Sequence, residues 1–383
     1  MYKFGVFVLA LLSLLAAAPA GAQQLDATER LLAELTNAPG VGGFEGPVIS
    51  IMKRELAPLT KNVTVDVMGN VVAELHGSSA SPRILLQAHM DEIGFLVRAI
   101  TPDGFLIFNP LGGWLPQVIL AQRWRIETGN GPVFGVTGVK APHISGQEER
   151  NTMIQQENMF IDVGARSEAE VRAMGIRAGL PIVPVSEFQV MSNPKRYMGK
   201  AFDARAPLAV ILEAVKQLAG ANHPNTVVVA ATVQEEIGLR GAHPVALSTR
   251  PDLVLNLEVG IAGDHPSVTA KLAQEKLGSG PALYVFDGSM IPNNKLVEYI
   301  IQFGTKNGIP IQLSSVSGYG EDASITQRLS PSGVLAVNIG LPLRYAHTHV
   351  GVMDRSDFDA MVRLVVGLVK ELSEKDVKKL REW

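Results

Sequence analysis

Three short apolar runs in this chain stop abruptly at residues able to carry charge or bind a cation, and this pattern constrains the fold more than any other. Run 83–87 leads into Ala88-His89-Met90-Asp91-Glu92, run 225–233 into Gln234-Glu235-Glu236, and run 252–257 into Glu258. Short runs rich in Val, Leu and Ile read as strands covered on both faces. Residues 206–218, between two of them, have helical periodicity. Strands alternating with helices predict an α/β domain with a largely buried sheet, and ligand sites in such sheets gather at the carboxyl ends of strands. The acidic residues stand at those ends.

With 383 residues and 46% hydrophobic content, the chain can bury one large core or two moderate ones. Helices are expected over 28–35 and 47–56, around a Pro39-Gly40-Val41-Gly42-Gly43 loop. Strands are expected at 63–66 and 71–75, about a Met68-Gly69-Asn70 turn, and one or two amphipathic helices over 356–379. Between 103 and 193 the texture changes. Gly112-Gly113, Gly129-Asn130-Gly131, Gly135 and Gly138 punctuate short β-like runs such as 124–128 and 133–136. One helix is signalled there by a capping box from Ser167 to Glu170 and a stop at Gly175. The expected organisation is an α/β domain built from 23–102 and 194–383, interrupted by a β-rich insertion over 103–193.

Residues 1–22 have the form of an export leader. Lys3 precedes an apolar stretch over 4–18, and Ala20-Gly21-Ala22 offers a small-x-small cleavage site before Gln23. About 15 apolar residues fall short of the roughly 20 needed to span a bilayer, so a cleaved signal peptide, no stable membrane anchor and a periplasmic address are expected. Lys and Arg total 34 against 37 Asp and Glu, which gives no basic field for nucleic acid. The chain has no cysteine, so disulfides, thiolate metal sites and cysteine nucleophiles are excluded. Any metal must be held by His, Asp and Glu, a set that suits zinc, cobalt or manganese in a water-accessible site.

Five segments hold the candidate chemistry. His89 and Asp91 are two apart and share a face in extended backbone, so Asp91 can orient His89 as a carboxylate behind a metal-binding imidazole. Asp203, before a helix, can bridge two cations or merely cap the helix. Glu235 and Glu236 are adjacent and face opposite sides of a regular strand, so a turn at Gly238 and Gly241 is needed to bring both to one site. One of the pair can then bind metal while the other takes a proton from water. Glu258 stands at a strand end. In Arg344-Tyr345-Ala346-His347-Thr348-His349, spacing does not choose between the two histidines. His76, His143, His223, His243 and His265 read as structural or exposed.

In this order the segments resemble the di-metal aminopeptidase family that includes glutamyl aminopeptidases, deblocking aminopeptidases and the tetrahedral TET peptidases, some of which carry an old endoglucanase label. The resemblance runs from about residue 28 to 370 and includes Val139-Lys140-Ala141-Pro142-His143, Phe160-Ile161-Asp162-Val163-Gly164 and Leu277-Gly278-Ser279-Gly280-Pro281. It implies hydrolysis of N-terminal residues from peptides. It also implies two divalent ions per subunit, zinc or cobalt with manganese as an alternative. His89 and Glu258 would complete one metal site, Glu236 and His347 the other, with Asp203 between them. Glu235 would be the general base and Asp91 the support for His89. The implied fold is a zinc-peptidase-like α/β domain, its mixed, mostly parallel sheet flanked by helices, with a β-barrel-like insertion that helps dimers assemble into particles as large as dodecamers. The chain departs from the family pattern at Ala204, where a second Asp is usual, at Glu258, where Asp is usual, and at Glu321-Asp322, where Thr-Asp is more frequent. Two rivals remain at this stage. A glycosidase would also use paired carboxylates but would not need His89 or His347, and a degenerate relative would bind peptide or metal without turnover.

Overall fold

The computed structural model describes residues 24–269 and 271–382; the expected leader over 1–22 lies outside the described residues. Four parallel strands form the centre of an eleven-stranded mixed sheet, in the order Thr226–Thr232, Arg83–His89, Leu253–Ile261, Leu335–Arg344. All four are buried from end to end or nearly so. That is why their sequences are apolar runs rather than alternating patterns. Antiparallel strands complete both flanks, with Val71–His76 against Thr226–Thr232 on one side and Gly351–Asp354 against Leu335–Arg344 on the other.

Helix Phe202–Leu218 lies across the sheet and packs against Ala27–Asn37 and Arg355–Glu371. Thirteen of its seventeen residues are buried, so it is a core helix and not a surface one. The expected C-terminal stretch is two helices, Arg355–Glu371 and Glu374–Arg381, separated by the Ser373 cap. Among the described residues no helix is long and apolar enough to cross a membrane.

The β-rich insertion is a closed six-stranded barrel. Its strands run from Gly94 to Pro184, so its bounds are shifted from the expected 103–193. The strand Gly94–Ile100 follows the first site strand so closely that sequence alone assigned it to the α/β domain. Gly94 fits this junction, because a Cβ there would stand 2.4 Å from Val41 Cγ1 and 2.5 Å from the Ile182 carbonyl oxygen of the adjacent strand. Beyond Pro184, Gln189–Val190 pairs with Arg196–Gly199 and belongs to the large sheet. The barrel has its own core, in which the Phe95 ring lies 4.6 Å from Trp124 and 5.2 Å from Trp114. The helix signalled at Ser167 spans Glu168–Ala173, and Ser167 accepts from the Glu170 backbone N–H. The box is not completed, because the Glu170 side chain accepts from the Arg166 N–H instead.

Candidate active site

All four central strands point their carboxyl ends to one side, and the predicted site residues meet there. His89 is the last residue of its strand and is in register with Thr232 of the neighbour, so Glu235 and Glu236 follow three and four residues past the same level. On the other side Asn256 pairs with Gln87, which brings Glu258 beside His89. The strand continues to Ile261, so Glu258 lies inside it and not at its end. Three residues beyond Leu335–Arg344, the chain presents His347.

Asp203 lies among these groups from the start of helix Phe202–Leu218. Its backbone is non-helical (φ −78°, ψ 114°). It does not cap the helix; its Oδ1 is 3.0 Å from His89 Nε2 and its Oδ2 is 3.5 Å from His347 Nε2. Glu258 Oε1 approaches the same His89 nitrogen at 3.2 Å, and Glu236 Oε2 approaches His347 Nε2 at 3.6 Å. Glu235 Oε2 is 3.9 Å from His89 Nε2. The His89 Nδ1 donates to the Asp91 carbonyl oxygen at 3.0 Å, which leaves Nε2 to face the carboxylates.

The turn needed to bring Glu235 and Glu236 together is present. Gln234 has φ +56° and Gly238 has φ +116°, and Gly241 permits a close approach, since a Cβ there would meet Asn70 Oδ1 at 2.4 Å. Asp91 has a second task that the sequence did not reveal. Its two carboxylate oxygens accept from the backbone N–H groups of Glu235 and Glu236 at 2.9 and 3.2 Å, so it fixes the turn as well as lying near His89 Nδ1 at 3.5 Å. Ala201, Gln234, Leu239, Tyr345 and His347 are all non-glycine residues in the left-handed region. Such residues are uncommon, and they concentrate where surrounding structure holds functional groups in place.

Buried cations hold the loops behind the site. The Arg205 guanidinium, fully buried, donates to the carbonyls of Leu35, Ala38, Gly40 and Met90 and to Glu92. Lys200 Nζ is 2.6 Å from Glu92 Oε2, and burial pulls its pKa down to about 8. Together they tie the 35–40 loop to the segments that carry His89 and Asp203.

The barrel also reaches the site. The strand Phe105–Leu111 ends at Gly112-Gly113, and the Gly113 carbonyl accepts from His347 Nδ1 at 2.8 Å. Gly112 has φ +80°, and a Cβ on it would meet Ile93 Cγ2 at 2.4 Å and Glu236 Oε2 at 2.9 Å. Gly112→Ala is therefore expected to displace Glu236 and lower kcat by roughly ten- to a hundredfold, as a misplacement near 1 Å does. Steady-state kinetics on a folded variant checks this, and unchanged kcat would show that the barrel edge does not position Glu236.

Five carboxylates and two imidazoles line the pocket, and no Lys or Arg does. Burial pushes Glu235, Glu258 and Glu321 well above the usual carboxylate range and Glu236 up to about 8. His347 is pulled down by burial, but Glu236 and Asp203 outweigh this and raise it to about 10. Burial likewise opposes ionisation of Asp203, yet the two histidines hold it below its ordinary value. So many buried carboxylates do not ionise together without added positive charge. The donor set, all oxygen and imidazole, fits divalent cations. Among the described residues, two groups of three have ligand atoms within 4.8 Å of one another: His89, Asp203 and Glu236; and Glu235, Glu258 and Glu321.

His349 is not part of this pocket. Its Nε2 donates to the Arg123 carbonyl at 2.8 Å and its ring stands edge-on to Trp124 at 4.5 Å, where burial lowers its pKa to about 4. The residue joining the set that sequence reasoning did not assign is Glu321; its signal was the departure from Thr-Asp.

The family model for M42 glutamyl aminopeptidase matches residues 69–364. The chain belongs to that family. It is 33% identical over 353 residues to a lysyl aminopeptidase of Pyrococcus furiosus, covering 90% of this chain and 98% of the relative. The structure of a TET aminopeptidase from a marine-sediment Thaumarchaeota archaeon superposes with a TM-score of 0.89 at 42% identity, covering 93% of this chain and 100% of the other. A Pyrococcus horikoshii TET1 peptidase, described as able to assemble into a tetrahedron or a large octahedral shell, gives 0.82 at 30% identity, covering 90% and 100%. Membership makes this chain a peptide hydrolase of a metal-dependent family. One expectation is corrected here. The signal peptide and periplasmic address were read from residues 1–22 alone, which lie outside both the described residues and the family match, and the assignment is not retained.

Proposed function

We propose that this chain removes the N-terminal residue from peptides, with Glu235 as general base and with two divalent cations, zinc or cobalt and alternatively manganese, sharing Asp203. The observation that carries the reading is the placement of the two Asp203 oxygens, one toward His89 and one toward His347. His89 and Glu258 would hold one ion, and Glu236 and His347 the other. Bound there, such ions acidify water and polarise the scissile carbonyl.

The protein groups divide the remaining work. Asp91 fixes the Glu235–Glu236 turn through two backbone N–H groups, and so aims the base. Glu235 accepts the proton of the water as its oxygen joins the carbonyl carbon. As the C–N bond breaks, Glu235 returns that proton to the departing amine. The Gly113 carbonyl holds the His347 ring through Nδ1. An assembly of several copies follows from the TET-type neighbours, from a dimer up to a dodecamer, and its size is measurable by light scattering.

A panel of aminoacyl anilides beside their N-acetylated forms tests the reading. Release from free amines with none from acetylated partners is the expected result. Equal cleavage of both would replace the aminopeptidase by a hydrolase that does not read the free amine.

A further inference from the structure

Glu321 is the acidic residue of the pocket to which the mechanism gives no task. It occupies the N-cap position of helix Asp322–Arg328 with extended backbone, φ −129° and ψ 153°, yet its side chain makes no capping bond. At such a position a carboxylate ordinarily accepts from the first turn of the helix. Instead it turns into the pocket, 1% exposed, where Oε1 has no hydrogen-bond partner. Nearby donors are engaged elsewhere. The Tyr319 hydroxyl donates to the Val259 carbonyl at 2.8 Å and the Ser289 hydroxyl to Asp287 at 2.8 Å. A buried carboxylate oxygen without a donor is costly unless a ligand supplies one.

We propose that Glu321 binds the α-ammonium group of the peptide substrate and is the residue by which this chain measures a free N-terminus. The inference rests on the aminopeptidase reading above. Distance supports it: Glu321 and Glu235 each offer an oxygen within 4.8 Å of the other. In a peptide the α-nitrogen and the carbonyl carbon are two bonds apart, roughly 2.5 Å. A carboxylate this close to the base therefore suits the ammonium of the residue whose carbonyl is attacked. Charge supports it as well. Five carboxylates line the pocket, and two divalent ions bring four positive charges. One negative charge remains, and an ammonium with three N–H donors matches it. Of the carboxylates just behind the pocket, Asp91 has both oxygens engaged by backbone N–H groups, and Asp322, which accepts from the Thr232 hydroxyl at 2.6 Å through Oδ2, does not line the pocket.

The test is equilibrium calorimetry with leucinol, an amine without a bond to hydrolyse, against its desamino counterpart 4-methylpentan-1-ol. Both are titrated into the metal-loaded full chain and into Glu321→Gln and Glu321→Thr, with bound metal measured in each. Leucinol is expected to bind both variants roughly ten- to a hundredfold more weakly, the loss of a charge-assisted bond. The alcohol is expected to bind equally throughout, with metal content unchanged. The Thr variant keeps the test open if Gln fails to fold. Overturning results would be leucinol bound no better than the alcohol by the unaltered chain, leucinol unaffected by either substitution, or loss of metal with both ligands weakened alike; the last would make Glu321 a cation ligand. If the chain hydrolyses no aminoacyl anilide but leucinol binding still depends on Glu321, the hydrolysis reading fails and this one stands.

Discussion

Glu235→Gln is expected to lower kcat by about 10²- to 10⁴-fold, the usual contribution of a positioned general base. Glutamine keeps the size and the turn but cannot accept a proton from water. The backbone N–H of residue 235 still donates to Asp91, so the loop that carries Glu236 stays in place. KM, bound metal and thermal midpoint should therefore change little while kcat collapses. Relief of the repulsion that Glu235 exerts on Glu258 and Glu321 should leave the variant as stable as the parent or slightly more so. Steady-state kinetics, metal content and a melting curve on the same preparation check all three. A variant retaining more than about a tenth of the parent kcat would remove Glu235 from the proton-transfer role, since so small an effect lies below the range for such a group.

How much of this site could be read from the chain follows from what determines each part. The strand ends were legible because burial on both faces leaves a compositional mark. An apolar run such as 225–233 cannot continue into two carboxylates unless the environment changes there, so Glu235 and Glu236 announced themselves. Glu258 was seen for the same reason but misplaced. Its strand runs on through Val259-Gly260-Ile261, and a carboxylate inside a buried strand looks the same in sequence as one at its end. Sequence spacing left His347 and His349 equivalent, and only the family resemblance favoured the first. The structure separates them because the chain leaves its strand at Arg344 and enters left-handed backbone at Tyr345 and His347, so the two-residue periodicity of a strand no longer applies.

The contributions that stayed hidden are those made across long sequence distances. Gly112 and Gly113 read as ordinary loop punctuation, yet one leaves room for Glu236 and the other holds His347, 234 residues away. Asp91 was expected to serve His89, two residues off; its bonds to the 235–236 turn cross 144 and 145 residues and left no local trace. Arg205 follows Asp203 closely, but its partners lie more than 110 residues earlier, at Met90 and Glu92 and at the carbonyls of Leu35, Ala38 and Gly40. The barrel shows the same limit in its boundaries. Strand Gly94–Ile100 has apolar residues like those of the sheet it leaves, and its allegiance is decided by pairing with Phe105–Leu111 and Pro181–Pro184.

Removing divalent ions from the folded chain is expected to stop peptide release and to make the protein easier to unfold. The two effects have one origin. Asp203, Glu235, Glu236, Glu258 and Glu321 converge in a pocket without Lys or Arg, so the stripped site must neutralise itself by retaining protons on its carboxylates or by charging His89 and His347. Either response removes what hydrolysis needs, because a protonated Glu235 cannot accept a proton and a charged imidazole offers no lone pair. Ions that bind only the native state stabilise it by about 2.7 kcal/mol at a hundredfold excess over Kd. For a chain of this size that lowers the thermal midpoint by roughly 3 °C when they are removed. Dialysis against chelator, then addition of zinc, cobalt or manganese singly, should restore both properties together, and the ion that restores turnover at the lowest concentration is the best fit to the oxygen and imidazole donors. Full turnover in protein shown by elemental analysis to carry no metal would instead assign the reaction to Glu235 and its neighbours alone. Recovery of the melting point without recovery of turnover would mean that the ions fill the pocket in positions unsuited to catalysis, and substitution of Asp203, which faces both histidines, would then separate binding from chemistry.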